Sequence, residues 1–149
     1  MARVIINSQP DERESWRIST QSSVVTNDSD ITFIVPANTE WQVHSILLTY
    51  VASATVGNRQ VALQLLNAAD AVIDEYRPSV VQAADATYVY KFGGVPQDLA
   101  ARDSNYVGVT MPVLFLTAGQ KLRIYDNKAI AAATDDLTIY MQIASRSIA

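Results

Sequence analysis

The chain uses one short pattern twice, and this repetition constrains its fold more than any other feature. The first copy runs from Val35 to Val43 and the second from Leu116 to Ile124. In each copy an apolar strand ends at a tight polar turn, and the strand that follows begins with a large inward residue. Two such corners about half a domain apart predict an antiparallel sandwich built from two similar halves.

From Ile31 onward, apolar residues recur with a period of two, the spacing that places alternate side chains on one face of a strand. The cleanest run spans residues 137–143, and an aromatic run spans residues 88–92. About eight such strands, with no long helical period and no βαβ spacing, predict an all-β fold. The expected architecture is an antiparallel two-sheet β-sandwich of the jelly-roll type.

The alternation also predicts which side chains face the core. The strand after the first corner is expected to be covered on both faces over its later half. Its two faces carry Trp41, Val43, Leu47 and Val51 on one side and Ile46, Leu48 and Tyr50 on the other. Over residues 59–65 the odd-numbered side chains are expected to face the core and the even-numbered ones water. Alternate residues from Val107 to Phe115 are expected to share one face of a further strand.

Breaks between these runs predict the connections. The segment Val72–Tyr76 follows a turn-like break and is expected to return as a hairpin partner until Pro78 stops it. Residues Pro96–Arg102 fit a short helix with proline at its first position. The alanine-rich segments 80–86 and 129–133 are predicted to be non-helical, although alanine would also suit a helix.

The N-terminal part of the chain has a different composition. Residues 7–30 are largely polar and are interrupted only by Trp16, Ile18 and Val24–Val25. A segment of this kind buries little apolar area per residue, which favours an arm or loops over a core element. The predicted organisation is therefore an extended N-terminal arm over residues 1–30, with one strand around Trp16, followed by a sandwich domain over residues 31–149.

Length and charge limit the classes of protein to consider. The chain has 149 residues, enough for one domain with its own core, and it contains no cysteine. Its net charge of −4 argues against a general nucleic-acid binder, which needs lysine and arginine to neutralise phosphates. No signal-peptide core and no apolar run of about 18 residues is present, so we expect no membrane partner and a protein made and kept in a cytoplasm, or in something assembled there.

The sequence carries no complete catalytic or metal-binding motif. His44 is the only histidine, which removes a cupin-like metal site and a serine nucleophile with a histidine base. The carboxylates at Asp74–Glu75, Asp126 and Asp135–Asp136 are interpreted as solvated turn residues, with a calcium site as the minor alternative. Gly93–Gly94 is interpreted as a turn. The prediction is a protein that is not an enzyme and has no cofactor and no metal.

Four segments together resemble a known class of protein. They are Ile34–Trp41, Tyr88–Gly94, Pro112–Asp126 and Asp135–Ile139, and the chain resembles the small jelly-roll virion proteins of tailed bacteriophages over about residues 31–144. The resemblance implies a capsid decoration, or cement, protein that binds the outer surface of the shell and stabilises it. It further implies the major capsid protein as partner, a homo-oligomer with a trimer favoured, and a place in the virion.

Candidate contact residues lie in the predicted arm. Arg3, Arg13 and Arg17 suit an acidic partner surface, and Trp16 suits an anchor, because tryptophan and arginine dominate interface hot spots. An equal alternative is that Trp16 completes the core of its own domain. Two other functions stay open: a receptor- or carbohydrate-binding module of a phage tail or baseplate, with exposed tyrosines such as Tyr106, and a cupin-shaped enzyme that has lost its metal site.

Overall fold

The computed structural model describes residues 15–94, 104–131 and 133–148, and in these residues it contains ten strands and no helix. The strands are β1 (Arg17–Val25), β2 (Asp30–Ile34), β3 (Thr39–Val51), β4 (Val61–Leu66), β5 (Val72–Tyr76), β6 (Thr87–Gly93), β7 (Tyr106–Val109), β8 (Leu114–Leu116), β9 (Lys121–Asp126) and β10 (Asp136–Ser147). Since none of the described residues is helical, no helix there is suited to cross a membrane. The predicted helix at Pro96–Arg102 lies outside the described residues.

The strands form two sheets in the order of a jelly roll. The larger sheet has the order β1-β10-β3-β6-β7, with β8 also paired to β3, and the smaller sheet has the order β2-β9-β4-β5. Four antiparallel pairs therefore nest along the chain, β1 with β10, β2 with β9, β3 with β6 and β4 with β5. This nesting confirms the predicted all-β sandwich of jelly-roll type. The short strand β7 adds a parallel pairing with β6.

The two similar corners lie side by side. The first leads from β2 in the smaller sheet to β3 in the larger one, and the second leads from β8 back to β9. The Val35 amide donates to the Gln120 carbonyl at 3.0 Å, and the Gly119 amide donates to the Val35 carbonyl at 3.0 Å. Asn38 and Gly119 both have positive φ, 56° and 84°, as tight turns of this kind require. The corners thus fix how the sheets close on each other.

The core lies between the two sheets and follows the alternation along each strand. On β10, Leu137, Ile139, Met141 and Ile143 are all fully buried, as the sequence predicted. They pack with inward residues of β3, β6 and β9, among them Leu48, Phe92 and Ile124. The predicted hairpin of β4 with β5 is also present. The segments 80–86 and, where described, 129–133 are non-helical as predicted.

A bulge in β3 changes the faces predicted for that strand. Ser45 pairs with Gln142 and Val43 pairs with Ile143, so His44 is an extra residue on the β3 side. The extra residue moves all later side chains to the opposite face. Ile46, Leu48 and Tyr50 consequently join Trp41 and Val43 in the core, whereas Leu47 and Val51 are 42% and 40% exposed. The prediction of a strand covered on both faces was wrong.

Two further alternation predictions fail for identifiable reasons. On β4, Ala62 and Gln64 are buried although they were expected to face water, because β4 lies between β9 and β5 and its outward side chains are flanked by those of both neighbours. The single strand expected up to Phe115 is interrupted over residues 110–113, which include Pro112, a residue that cannot donate to a ladder. After this break the inward residues are Leu114 and Leu116, and Phe115 is 69% exposed.

The second half of the predicted arm belongs to the sandwich. Residues 17–25 form β1, which pairs with β10 over its full nine residues, and Asp30 already begins β2. In the described residues the sandwich therefore includes β1, which lies within the segment predicted to form the arm. The polar composition that suggested an arm has another cause: β1 lies at the edge of the larger sheet, and backbone hydrogen bonds hold it there with little burial. Residues 1–14 lie outside the described residues.

Candidate functional site

The most elaborate polar arrangement is a buried ion pair at one end of the sandwich. Arg59 and Asp135 are both fully buried, with Arg59 Nε at 2.9 Å and Nη2 at 3.1 Å from the Asp135 oxygens. The Asp135 carboxylate also accepts from the Tyr50 hydroxyl at 2.7 Å and from the Ser53 amide at 2.8 Å. The remaining Arg59 hydrogens reach carbonyls of the β3–β4 loop, including that of Thr55 at 2.8 Å.

These contacts set the protonation states. Burial acts to raise the pKa of Asp135, but hydrogen bonds from Arg59, from the Ser53 amide and from Tyr50 outweigh it and hold this pKa below its ordinary value. Burial, together with the hydrogen bond to Asp135, raises the pKa of Tyr50 far above its usual range. The cluster is therefore a permanent carboxylate–guanidinium pair with a neutral phenol at neutral pH.

A second set of buried polar groups continues this cluster. The Gln82 amide nitrogen donates to the Tyr50 carbonyl at 2.9 Å, and its oxygen accepts from the Tyr90 hydroxyl at 3.0 Å. Asp126 accepts backbone amides from Gln60, Lys128 and Ile130, each at 2.9 Å. These bonds join the loops that connect the strands at this end of the sandwich.

The polar side chains of the buried cluster already have hydrogen-bond partners. In the described residues, every buried side-chain nitrogen or oxygen has a hydrogen-bond partner, and no group of three or more His, Asp or Glu side chains could hold a metal ion. The carboxylates of Asp126 and Asp135, interpreted from the sequence as solvated turn residues, are buried, so that interpretation was wrong for both. The arrangement orients the loops at this end of the sandwich.

Sequence reasoning missed this cluster because its members are far apart in the chain. Arg59 was placed on the inward face of its strand, which was a usable signal: an inward arginine needs a buried acid. Nothing in the sequence identifies Asp135 as that acid, since its neighbour Asp136 has the same side chain and is half-buried. The pairing depends on the β9–β10 loop returning over the β3–β4 loop.

Of the four predicted contact residues, the structure describes Trp16 and Arg17. Arg3 and Arg13 lie outside the described residues. Trp16 is 37% exposed and lies outside the core, with the Arg146 guanidinium 4.7 Å from its ring centroid. Arg17 begins β1 opposite Ser145. Trp16 is thus a surface residue held by a cation–π contact, and Arg146 is fixed in turn by Glu40 at 2.7 Å.

Exposed apolar side chains occupy the outer face of the larger sheet. Along one row of this face, β1, β10, β3 and β8 contribute Ile18, Ala144, Gln42 and Phe115 in register. Farther along β10, Tyr140 pairs with Leu47. We call the exposed set the outer apolar face; it comprises Trp16, Ile18, Leu47, Phe115 and Tyr140. Such a spread of large apolar groups on one sheet face is typical of a contact surface.

The outer face of the smaller sheet has a different character. It bears an open groove of about 500 Å³ whose lining includes Asp30, Arg123 and Lys121. Arg123 makes a bidentate pair with Asp30 and lies 4.0 Å from the Tyr125 ring centroid. No aromatic side chain lines this groove, so it lacks the stacking platform typical of sugar sites.

Two further candidates from the sequence are His44 and Tyr106. His44 is exposed at the β3 bulge. Tyr106 begins β7 and is 40% exposed. The aromatic residues predicted to serve mainly in packing do so at Trp41, Tyr50 and Tyr90, which are buried.

Comparison with known proteins adds little to this geometry. No family model matches the chain, and no curated protein matches it. Similar solved structures include viral particles of infectious bursal disease virus. The VP2 subviral particle has a TM-score of 0.36 at 11% identity, covering 100% of this chain and 42% of that chain. The T13 particle has a TM-score of 0.35 at 11% identity, covering 89% of this chain and 36% of that chain.

The structure of the Gt strain of the same virus gives a TM-score of 0.34 at 11% identity, covering 100% of this chain and 43% of that chain. The chain therefore spans less than half the length of the structures it resembles. The weak similarity is to components of viral particles, and none of the three is described as a bacteriophage protein. At such TM-scores it carries no argument about function.

Proposed function

We propose that the protein is a non-enzymatic structural component of a virion, and specifically a decoration or cement protein of a tailed-phage capsid. In this role it binds the outer surface of the shell through the major capsid protein, acts as a homo-oligomer and stabilises the particle after assembly in the host cytoplasm. The proposal combines the sequence resemblance with the surfaces of the sandwich.

The observation that carries the proposal is the outer apolar face. A domain that works alone rarely leaves several large apolar side chains on one sheet face, since each is costly in water. Here Ile18 is 76% exposed and Phe115 is 69% exposed, and they belong to one cross-strand row. A rigid sheet that presents such a row is suited to binding another protein by shape, as a decoration protein must.

The closed polar cluster supports the non-enzymatic part of the proposal. Its ionisable groups are paired in the interior and are used to hold loops together. The acid, base and nucleophile that catalysis requires must be reachable by a substrate. In the described residues the groups with the largest pKa shifts, Tyr50 and Tyr90, are buried and hydrogen-bonded.

In this proposal, the segment before β1 makes the main contact with the shell. Arg3 and Arg13 precede Trp16, and all three precede a strand at the sheet edge, so that a contact made by the segment is anchored directly to the rigid sandwich. Arginine and tryptophan are the side chains that contribute most to protein contacts. The partner surface they fit is acidic with an apolar pocket.

The test is co-sedimentation with shells assembled from the major capsid protein of the same virus. We expect the full chain to bind and a chain without residues 1–14 to fold but to lose binding. A deletion of residues 1–30 would not be a suitable test, because it would remove β1 and leave β10 paired with β3 alone. The Trp16→Ala variant should weaken binding by about tenfold or more.

Tyr106→Ala is the matched control, because Tyr106 has nearly the same exposure as Trp16 but lies at the start of β7. Far-UV circular dichroism and thermal unfolding establish that each variant is folded. Equal shell binding by the full chain and by the chain without residues 1–14 contradicts the proposed contact between this segment and the shell. Failure of the full chain to bind any shell contradicts the decoration role itself.

A second candidate is a receptor- or carbohydrate-binding module of a phage tail or baseplate. The exposed ring of Tyr106 favours it, since solvent-facing aromatic side chains stack on sugars. Glycan-array binding that the Tyr106→Ala variant loses, together with absence of shell binding, would replace the decoration role with this one.

A further inference from the structure

Strand β1 has a strand partner on one side only. In the described residues it pairs with β10, and its other edge has no neighbouring strand. The strand is nine residues long, Arg-Ile-Ser-Thr-Gln-Ser-Ser-Val-Val, and pairs without a register shift. Natural edge strands of this length usually carry lysine, proline or a bulge that prevents pairing with another chain. Strand β1 has none of these, so its free edge is a template for strand addition.

The sequence of β1 is self-complementary when it is paired antiparallel about its centre. With Gln21 opposite its own copy, Thr20 faces Ser22 and Ser19 faces Ser23, so small hydroxyl residues meet on both sides of the axis. Ile18 then faces Val24. These two are the most exposed large apolar residues of the strand, at 76% and 65%, and both lie on the outer face. Apolar pairs of this kind stabilise adjacent antiparallel strands.

No other centre gives this match. Moving the axis by one residue places Ile18 opposite Ser22 or Thr26, and it leaves the end of the strand unpaired. The single charge of β1, on Arg17, falls opposite Val25, so no like charges meet across the axis. A two-fold contact of identical surfaces requires such self-complementarity.

The geometry points to a second copy of this chain as the occupant of the free edge of β1. Two copies join antiparallel through β1 about a two-fold axis at Gln21, and their larger sheets become one continuous sheet. The outer apolar faces of both copies then lie on the same side of that sheet, which doubles the area available to a partner. The contact does not depend on the proposed virion role, so its test can fail or succeed independently of shell binding.

This contact differs from the trimer implied by the sequence resemblance. In a closed trimer each copy uses two different surfaces, whereas the edge of β1 is one surface that complements itself. Size-exclusion chromatography with light scattering on the full chain decides between them. We expect a mass of twice the 16.3 kDa of the chain, falling to a single chain on dilution.

Charge substitutions on the outer face of β1 test the register. In the double variant Ile18→Lys/Val24→Lys, two like charges face each other on both sides of the axis, and the dimer Kd should rise about tenfold or more. In Ile18→Lys/Val24→Glu, opposite charges face each other at the same positions, and dimerisation should be retained. The matched control is Val56→Lys/Ile73→Lys, which adds the same two charges at exposed apolar positions away from β1.

A cysteine scan gives an independent readout, because the natural chain has no cysteine. In the proposed register the two Gln21 Cα atoms lie about 4.5–5.5 Å apart, within the range that a disulfide spans. The Ser23 Cα atoms lie about 13 Å apart, beyond that range. Both residues are half-buried on the inner face of β1, so they are equally placed for oxidation. Mild oxidation should cross-link Gln21→Cys and leave Ser23→Cys monomeric on a non-reducing gel.

Several results would overturn the inference. They are a monomer at every concentration, a trimer, a dimer that the Ile18→Lys/Val24→Lys variant leaves intact, and cross-linking of Ser23→Cys in preference to Gln21→Cys. Thermal unfolding of each variant shows that it is folded, so that loss of the dimer is not mistaken for loss of the domain.

Discussion

Removal of the Asp135 carboxylate tests what holds one end of the sandwich together. The side chain accepts four hydrogen bonds, two from Arg59, one from Tyr50 and one from the Ser53 amide. In Asp135→Ala all four donors lose this acceptor, and the Arg59 guanidinium becomes a buried charge without a counter-ion. Breaking a buried pair in this way costs about 3–5 kcal/mol. Since a domain of this kind is stable by about 5–15 kcal/mol in total, this is a large fraction.

Replacing both partners should cost much less. In Arg59→Met/Asp135→Leu no charge is left buried, and apolar side chains of similar size fill the space, which is often neutral or stabilising. We therefore expect the double variant to be more stable than Asp135→Ala alone. The assay is urea unfolding followed by fluorescence of the buried Trp41, with the slope m compared between variants.

Asp30→Ala is the control for loss of an acid. Asp30 pairs with Arg123 at the surface. Both side chains are more than a third exposed, so solvent weakens the pair. Its loss should cost less than about 1 kcal/mol. If Asp135→Ala costs no more than this control, or if the double variant is less stable than the single one, the ion pair does not hold the loops as argued.

Three further predictions concern stability. The folded-state pKa of Asp135 lies below the ordinary 3.8, so the pair with Arg59 stabilises the fold fully above that pH and progressively less as pH falls towards the folded-state pKa. The urea midpoint of the natural chain should therefore fall more steeply with decreasing pH than that of the Arg59→Met/Asp135→Leu variant. Parallel curves of midpoint against pH would contradict this. Gly93→Ala should lower the free energy of unfolding by about 1 kcal/mol or more, because φ is 150° and a Cβ would lie 3.2 Å from a β3 carbonyl oxygen. Gly94→Ala, with open space around the added Cβ, is the control in thermal unfolding. Equal melting temperatures of the two variants would show that Gly93 is not under this constraint. Ile139→Ala should lower the free energy of unfolding by about 2–5 kcal/mol, whereas Val56→Ala on the surface should lower it by less than about 0.5 kcal/mol. Chemical denaturation measures both, and equal losses would be inconsistent with the described core.

The alternation of apolar residues was sufficient to predict the fold class. On β10 the pattern is uninterrupted, and all four predicted core residues are buried. The paired corners were also visible, because turns have local residue preferences. What alternation cannot show is an extra residue in a ladder: His44 is an ordinary strand residue in sequence, and only its pairing with β10 makes it a bulge. The residues of β3 that follow His44 therefore point to the face opposite to the one expected from the residues before it.

The candidate surfaces were less accessible to sequence reasoning. Trp16 stands out in the sequence as a large side chain in a polar segment, but its contact with Arg146 joins residues far apart in the chain and has no local signal. Ile18 and Phe115 are also distant in sequence and share a row only because β1, β10, β3 and β8 are in register. A sheet face is a property of the whole topology, so a single strand does not reveal it.

The nesting of strand pairs has a consequence for how the chain acquires its structure. In the described residues β1 pairs with β10, so it finds its strand partner only after the eight strands between them have been synthesised. Contacts this distant in sequence impose a high loop-closure entropy and slow folding to milliseconds or longer. Until β10 has been synthesised, β1 lacks its strand partner, and its exposed apolar and hydroxyl side chains make this segment of the nascent chain vulnerable to aggregation.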